Sequence, residues 1–157
     1  MNMKSVVIKQ YRENVNRAKA QVDGLFVPSE GWVRTVRTAL GMSGAQLGRR
    51  MGITRGAISN NEKAELSGGI TIKTMQQMAE AMGCRFVYAI VPEKDIEDIE
   101  DIVNKRALEK ARAEVKEASI HMALEDQALS KDKQWDDIER LASDMVKNPT
   151  FDLWNDE

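Results

Sequence analysis

Arg55, Ser59, Asn60 and Lys63 follow one another at intervals of four, one and three residues. On a helix that spacing gathers them into one polar stripe. These side-chain types read nucleic acid: arginine and lysine donate to guanine O6 and N7, and asparagine pairs two-fold with adenine. Gly56, on the same face, lets a helix approach a surface closely. Other chemistry is poorly supplied. His121, the only histidine, has Glu125 and Asp126 one turn along but lacks the second histidine or thiolate a metal needs. No nucleophile with its base, paired catalytic carboxylates or Gly-rich phosphate loop occurs, so no enzyme, metal or cofactor is expected.

The stripe needs elements to hold it. Ser43 to Lys63 reads SGAQLGRRMGITRGAISNNEK, two short helices around a glycine turn. Ser43 and Gln46 have the spacing of a capping box, Leu47 and Met51 point inward, and Arg49 and Arg50 lie elsewhere on the helix. Gly52 permits the positive backbone angle of a tight turn, Ile53 is buried in it, and Thr54 caps the second helix. Ser43, Gln46 and Thr54 would place helix ends against phosphates. Before this pair, Gly31 introduces a helix whose buried stripe is Trp32, Val33, Val36, Ala39 and Leu40, stopped by Gly41. After it, a glycine-rich linker from Ala64 to Gly69 leads to a helix over Thr71 to Met82, with Ile72, Met75, Met78, Ala79 and Met82 inside. Ser5 to Val22 is amphipathic, and its basic residues form either a solvated face or an arm on phosphates.

At this point the residues resemble a known pattern. From about Trp32 to Gly83 the chain has an arginine before L-G, then L-x-x-x-x-G-I-T, I-S-x-x-E-K and an amphipathic helix ending in M-G. It is similar to the Xre/Cro-type helix-turn-helix domain of phage repressors and many antitoxins. The resemblance implies a lambda-repressor-like fold in which Arg37 pairs with Glu62 and ties the recognition helix to its scaffold. Two positions depart from the pattern: Gly44 stands where a phosphate-buttressing glutamine is common, and Asn61 where an apolar residue usually packs inward. A buried unsatisfied amide there would cost about 1–3 kcal/mol. Over most of its length, including GCRFVYAIVP and HMALEDQALS, the chain also resembles the mobile mystery protein A group. That likeness implies a regulator or antitoxin accompanying a Fic-domain partner, an enzyme that transfers a nucleotide moiety onto proteins.

The formal net charge of -2 conceals a division. Residues 1–85 hold 13 Lys+Arg against 6 Asp+Glu, whereas residues 86–157 hold 10 against 19. The basic part attracts polyanions and the acidic part should face away from phosphate. No run approaches the roughly 18 apolar residues of a membrane span and no signal peptide is visible, so no membrane partner and a cytoplasmic location are expected. The single cysteine, Cys84, excludes an internal disulfide and reads as a small core residue.

Arg85 to Val91 alternates as a strand, ended by Pro92. A lone strand must find hydrogen bonds, either with Ser5 to Ile8 or with the same strand of a second subunit. The second is favoured, making Phe86, Val87, Tyr88, Ala89 and Ile90 a dimerisation element. From Asp95 a helix is expected as far as Leu129, carrying Ile96, Ile99, Val103, Ala107, Ala111, Val115, Ala118 and Met122; it could wrap, cross to a second subunit or break near Ser119. A last helix, Lys133 to Val146, should bury Trp135, Ile138, Leu141, Ala142 and Met145 and end at Asn148-Pro149. The tail either folds back or offers Phe151 and Trp154 to a partner.

The expected fold is mostly α: a lambda-repressor-like helix-turn-helix domain with one C-terminal strand and an additional helical region. Its expected parts are 1–30 (helix and connector), 31–83 (DNA-binding domain), 84–92 (dimerisation strand) and 93–157 (acidic helical region). The function that follows is a dimeric repressor on a palindromic operator in double-stranded DNA, with half-sites roughly 34 Å apart. The alternative is an antitoxin that neutralises a Fic-type partner through its acidic half, with the helix-turn-helix as scaffold.

Overall fold

Side-chain caps at Ser43, Thr54 and Thr71 start three short helices in the middle of this chain. A computed structural model describes residues 3–124, 130–148 and 152–155. Among them are seven helices: α1 (Met3–Val22), α2 (Trp32–Ala39), α3 (Gly44–Met51), α4 (Arg55–Ser67), α5 (Ile72–Ala81), α6 (Ile99–Leu124) and α7 (Lys131–Lys147). They form two compact units, one of Gly24–Ala89 and one of the residues up to Asp23 together with those from Ile90 onward.

In the Gly24–Ala89 unit, α2 to α5 each contribute to one core of Val33, Leu47, Ile58, Met75, Met78 and Met82. Burying a side chain of this size contributes about 1.5–3 kcal/mol, which short helices need because they are marginal alone. The turn between α3 and α4 depends on two glycines. Gly52 takes φ +72, and a Cβ on Gly48 would meet the Ile53 carbonyl oxygen at 2.6 Å. Below α2, Gly31 has no side chain to cap the helix, so Glu65 of α4 does so. The N–H groups of Trp32 and Val33 donate to its two carboxylate oxygens at 2.6 and 3.0 Å.

This contact corrects the expected linker at Ala64 to Gly69. Residues 64–67 complete α4, and the helix ends at Gly68 with φ +85. Ala39 and Leu40, expected inside, are exposed, as is Ile72.

The other unit packs α6 against α7 and α1 against α6. Its buried residues are Ala107, Ala111, Ile138, Ala142, Met145 and Leu153. The alanines allow the helix backbones to come close. Helix α6 begins at Ile99 and not near Asp95 because Asp98 caps it: the Glu100 N–H donates to Asp98 Oδ1 at 2.8 Å. Asn16 of α1 clamps this terminus, donating to Asp98 at 3.1 Å and accepting from the Ile99 N–H at 3.0 Å. The backbone bond from Glu100 and then the Asn16 amide hold the Asp98 carboxyl below its ordinary pKa against a smaller desolvation cost, with the least contribution from the Arg12 charge. The tail folds back. Leu153 joins the core, while Arg106 and Lys110 donate to the carbonyls of Leu153 and Asp152 at 2.6 and 2.8 Å. Trp135 and Ala118 are exposed, and Trp135 has the Arg112 guanidinium 5.9 Å from its ring centroid.

The strand expected at Arg85 to Val91 is absent, and no strand occurs among the described residues. A strand exists only through a hydrogen-bonded neighbour, and Ser5 to Ile8, the partner available in the chain, lie inside α1. Phe86 instead packs on the helix-turn-helix core, and its ring stacks on Tyr88 at 5.9 Å. Val87, Tyr88, Ala89 and Ile90 are left exposed. Cys84 is exposed too, not a core residue. The expected helix end at Leu129, the acids Glu125 and Asp126, Pro149 and Phe151 lie outside the described residues.

Candidate nucleic-acid interface

At about 100° per residue, Arg55, Ser59, Lys63, Gly56 and Asn60 cover an arc of about 140° on α4. All five are exposed, while Ile58 on the opposite side is buried. Ser43, Gln46 and Thr54 are exposed as well. The capping box forms: the Gln46 N–H donates to Ser43 Oγ at 3.1 Å and the Ser43 N–H to Gln46 Oε1 at 2.8 Å. That leaves the Gln46 Nε2 donors pointing outward. Thr54 Oγ1 accepts from the Ala57 N–H at 3.0 Å and keeps its own hydroxyl proton to donate.

Helix α4 is fixed from behind. Arg37 Nε donates to Glu62 Oε1 at 2.8 Å, and its Nη1 donates to the Met42 carbonyl at 3.1 Å. Both side chains are largely buried, 16% and 15% exposed. One guanidinium therefore joins α2, α4 and the loop entering α3. On the outer side, an open groove of about 470 Å³ is lined by Arg37, Ser43, Gly44, Ala45, Arg55, Ile58, Ser59 and Glu62. It brings Arg55 and Ser59 beside the N-terminus of α3, where backbone N–H groups and the helix dipole favour an anion. Gly56, Asn60 and Lys63 lie further round α4, outside this groove.

The two departures from the family pattern have a physical reading. A Cβ on Gly44 would lie 3.8 Å from Arg55 Cγ and Ile58 Cγ2, an ordinary contact, so packing does not demand glycine there. Asn61 is half-buried, and no buried side-chain polar atom among the described residues lacks a partner. The desolvation cost expected at Asn61 is not incurred.

Charge favours the same face. The Gly24–Ala89 unit carries 8 Lys+Arg against 4 Asp+Glu, a net of +4, leaving -6 for the other unit. Arg49, Arg55 and Lys63 form no ion pair among the described residues, so their charges face solvent. Arg50 is occupied, donating to the Ala81 carbonyl at 2.7 Å. Sequence reasoning missed Glu65 and Gly48. Glu65 carries no local signal, since its partner lies 33 residues away. Gly48 could have been suspected as a glycine inside a helix that gains nothing from it.

The Gly24–Ala89 unit holds an Xre-like helix-turn-helix domain, a class of DNA-binding regulatory domain. Residues 33–88 match the family model described as helix-turn-helix, which spans α2 to α5 and the segment as far as Tyr88. No curated protein and no solved structure matches the chain. No helix among the described residues is long and apolar enough to cross a membrane.

Proposed function

We propose that this protein is a sequence-specific transcriptional repressor that binds a palindromic operator as a homodimer in the cytoplasm and controls its own promoter. The observation that supports this most is the exposed stripe on α4, held by a buried ion pair and flanked by two capped helix termini. In this reading Arg55, Ser59, Asn60 and Lys63 contact base edges and phosphates, Gly56 allows the close approach, and Ser43, Gln46 and Thr54 position the helix ends on phosphates. The test is selection of bound DNA from a random pool, followed by binding at rising salt. The outcome expected is enrichment of two symmetric half-sites about 34 Å apart and an affinity that falls steeply with salt. A pool with no enriched sequence would refute it.

The acidic unit favours a second role alongside the first. Its net charge of -6 makes it a poor DNA surface and a good one for a basic protein. Together with the likeness of GCRFVYAIVP and HMALEDQALS to the mobile mystery protein A group, this supports an antitoxin that restrains a Fic-type enzyme. Inhibition of nucleotide transfer by a Fic-domain enzyme encoded next to this chain is the outcome to seek.

A further inference from the structure

A cavity of about 350 Å³ lies in the Gly24–Ala89 unit, on α2, α5 and the segment that leaves α5. Its walls include Trp32, Val36, Met75, Ala79 and Phe86. This volume is at the small end of the range for ligand pockets, roughly 300–1,000 Å³. One wall residue is charged: Arg85, which is exposed and forms no ion pair among the described residues. None of the eight residues assigned to DNA lines this cavity, so an occupant would leave the recognition face open.

We propose that this cavity binds a small apolar carboxylate, a medium-chain or aromatic acid whose tail fills the cleft and whose carboxylate pairs with Arg85. Charge complementarity decides the class. An uncharged apolar molecule would leave the guanidinium unused, a cation would be repelled, and a strongly polar ligand would find almost no hydrogen-bonding wall. An arginine fork matches a carboxylate with two parallel donors. Filling the cleft joins α5 and the following segment to α2 in one packed body, giving a regulator a means to sense a metabolite of this class. The site does not depend on the DNA-binding reading, because its occupancy is measured without DNA.

Cys84 makes the test direct. It is the only cysteine in the chain, it is exposed, and it lines the cavity. Octanoate should slow its alkylation by iodoacetamide in a saturable way. In Arg85→Gln the octanoate concentration for half-protection should rise about tenfold, while the value for 1-octanol stays unchanged. Val87→Asp, at an exposed position on the rim, should weaken octanoate with little effect on folding. Absence of octanoate protection overturns the proposal, as does an equal effect of Arg85→Gln on octanoate and octanol. Protection that follows protein concentration and ignores octanoate overturns it too, since the cleft would then be covered by a second copy.

Discussion

The two units of this chain are both built from helices yet are held together differently. The helix-turn-helix unit uses large side chains, Leu47, Ile58 and Met78, from short helices whose ends are tied by polar caps. The other unit mixes alanines, Ala107, Ala111 and Ala142, with Ile138, Met145 and Leu153 in a core of longer helices, two of them started by the caps Asp98 and Ser130 and the first also tied to the tail. Short capped helices present several termini and a rigid turn to solvent. Long helices in close contact present continuous faces. In the proposed function the first surface meets a DNA groove and the second meets another protein.

Substitutions can break one unit at a time. Gly48→Val forces a side chain onto the Ile53 carbonyl and should cost about 3 kcal/mol or more, lost from the helix-turn-helix unit alone. Ala111→Leu, overpacking α6 against α7, should cost about 1–3 kcal/mol in the other unit only. Hydrogen exchange resolved by segment separates the two, and equal loss of protection in both units by either variant would contradict the division. Next in size, Glu62→Ala leaves Arg37 largely buried without its partner and should destabilise the domain by about 2 kcal/mol in urea unfolding. Arg37→Ala should act similarly, and the double variant should cost less than the two losses added.

The smallest effect concerns pH. Asp98 has a lowered pKa in the folded chain, so its cap stabilises α6 fully above the unfolded value near 3.8 and is lost as pH falls through the lower folded value. Protection of the first turn of α6 should therefore fall in acid below about pH 4. Asp98→Ala should lack that increment at neutral pH and show a flatter acid profile.

Local chemistry was legible in the sequence. The Ser43–Gln46 box, the Thr54 cap and the Gly52 turn are short-range devices whose residues specify their own geometry. The outward stripe on α4 was legible for the same reason, since helical spacing alone decides it. Contacts across the chain were legible only where the family resemblance supplied them, as for Arg37 and Glu62. The Glu65 cap on α2 and the Asn16 clamp on α6 join residues 33 and 83 positions apart, and no local pattern announces them. The strand expected over RFVYAIV rests on residue types that favour extended backbone, but only Phe86 anchors on the core and Val87 to Ile90 are all exposed, so burial does not alternate there. Residue type alone does not make a strand, which also needs a neighbour to bond.

The central claim is that the exposed face of α4 reads DNA sequence. Its most direct test is the affinity of the wild type, Arg55→Ala and Asn60→Ala for a selected operator and for a scrambled duplex at one salt concentration. Both residues are exposed, so thermal unfolding should be unchanged within about 0.5 kcal/mol. Each variant should lose about 1–3 kcal/mol of discrimination between operator and scrambled DNA. Variants that keep their fold and still discriminate as well as the wild type would contradict the account.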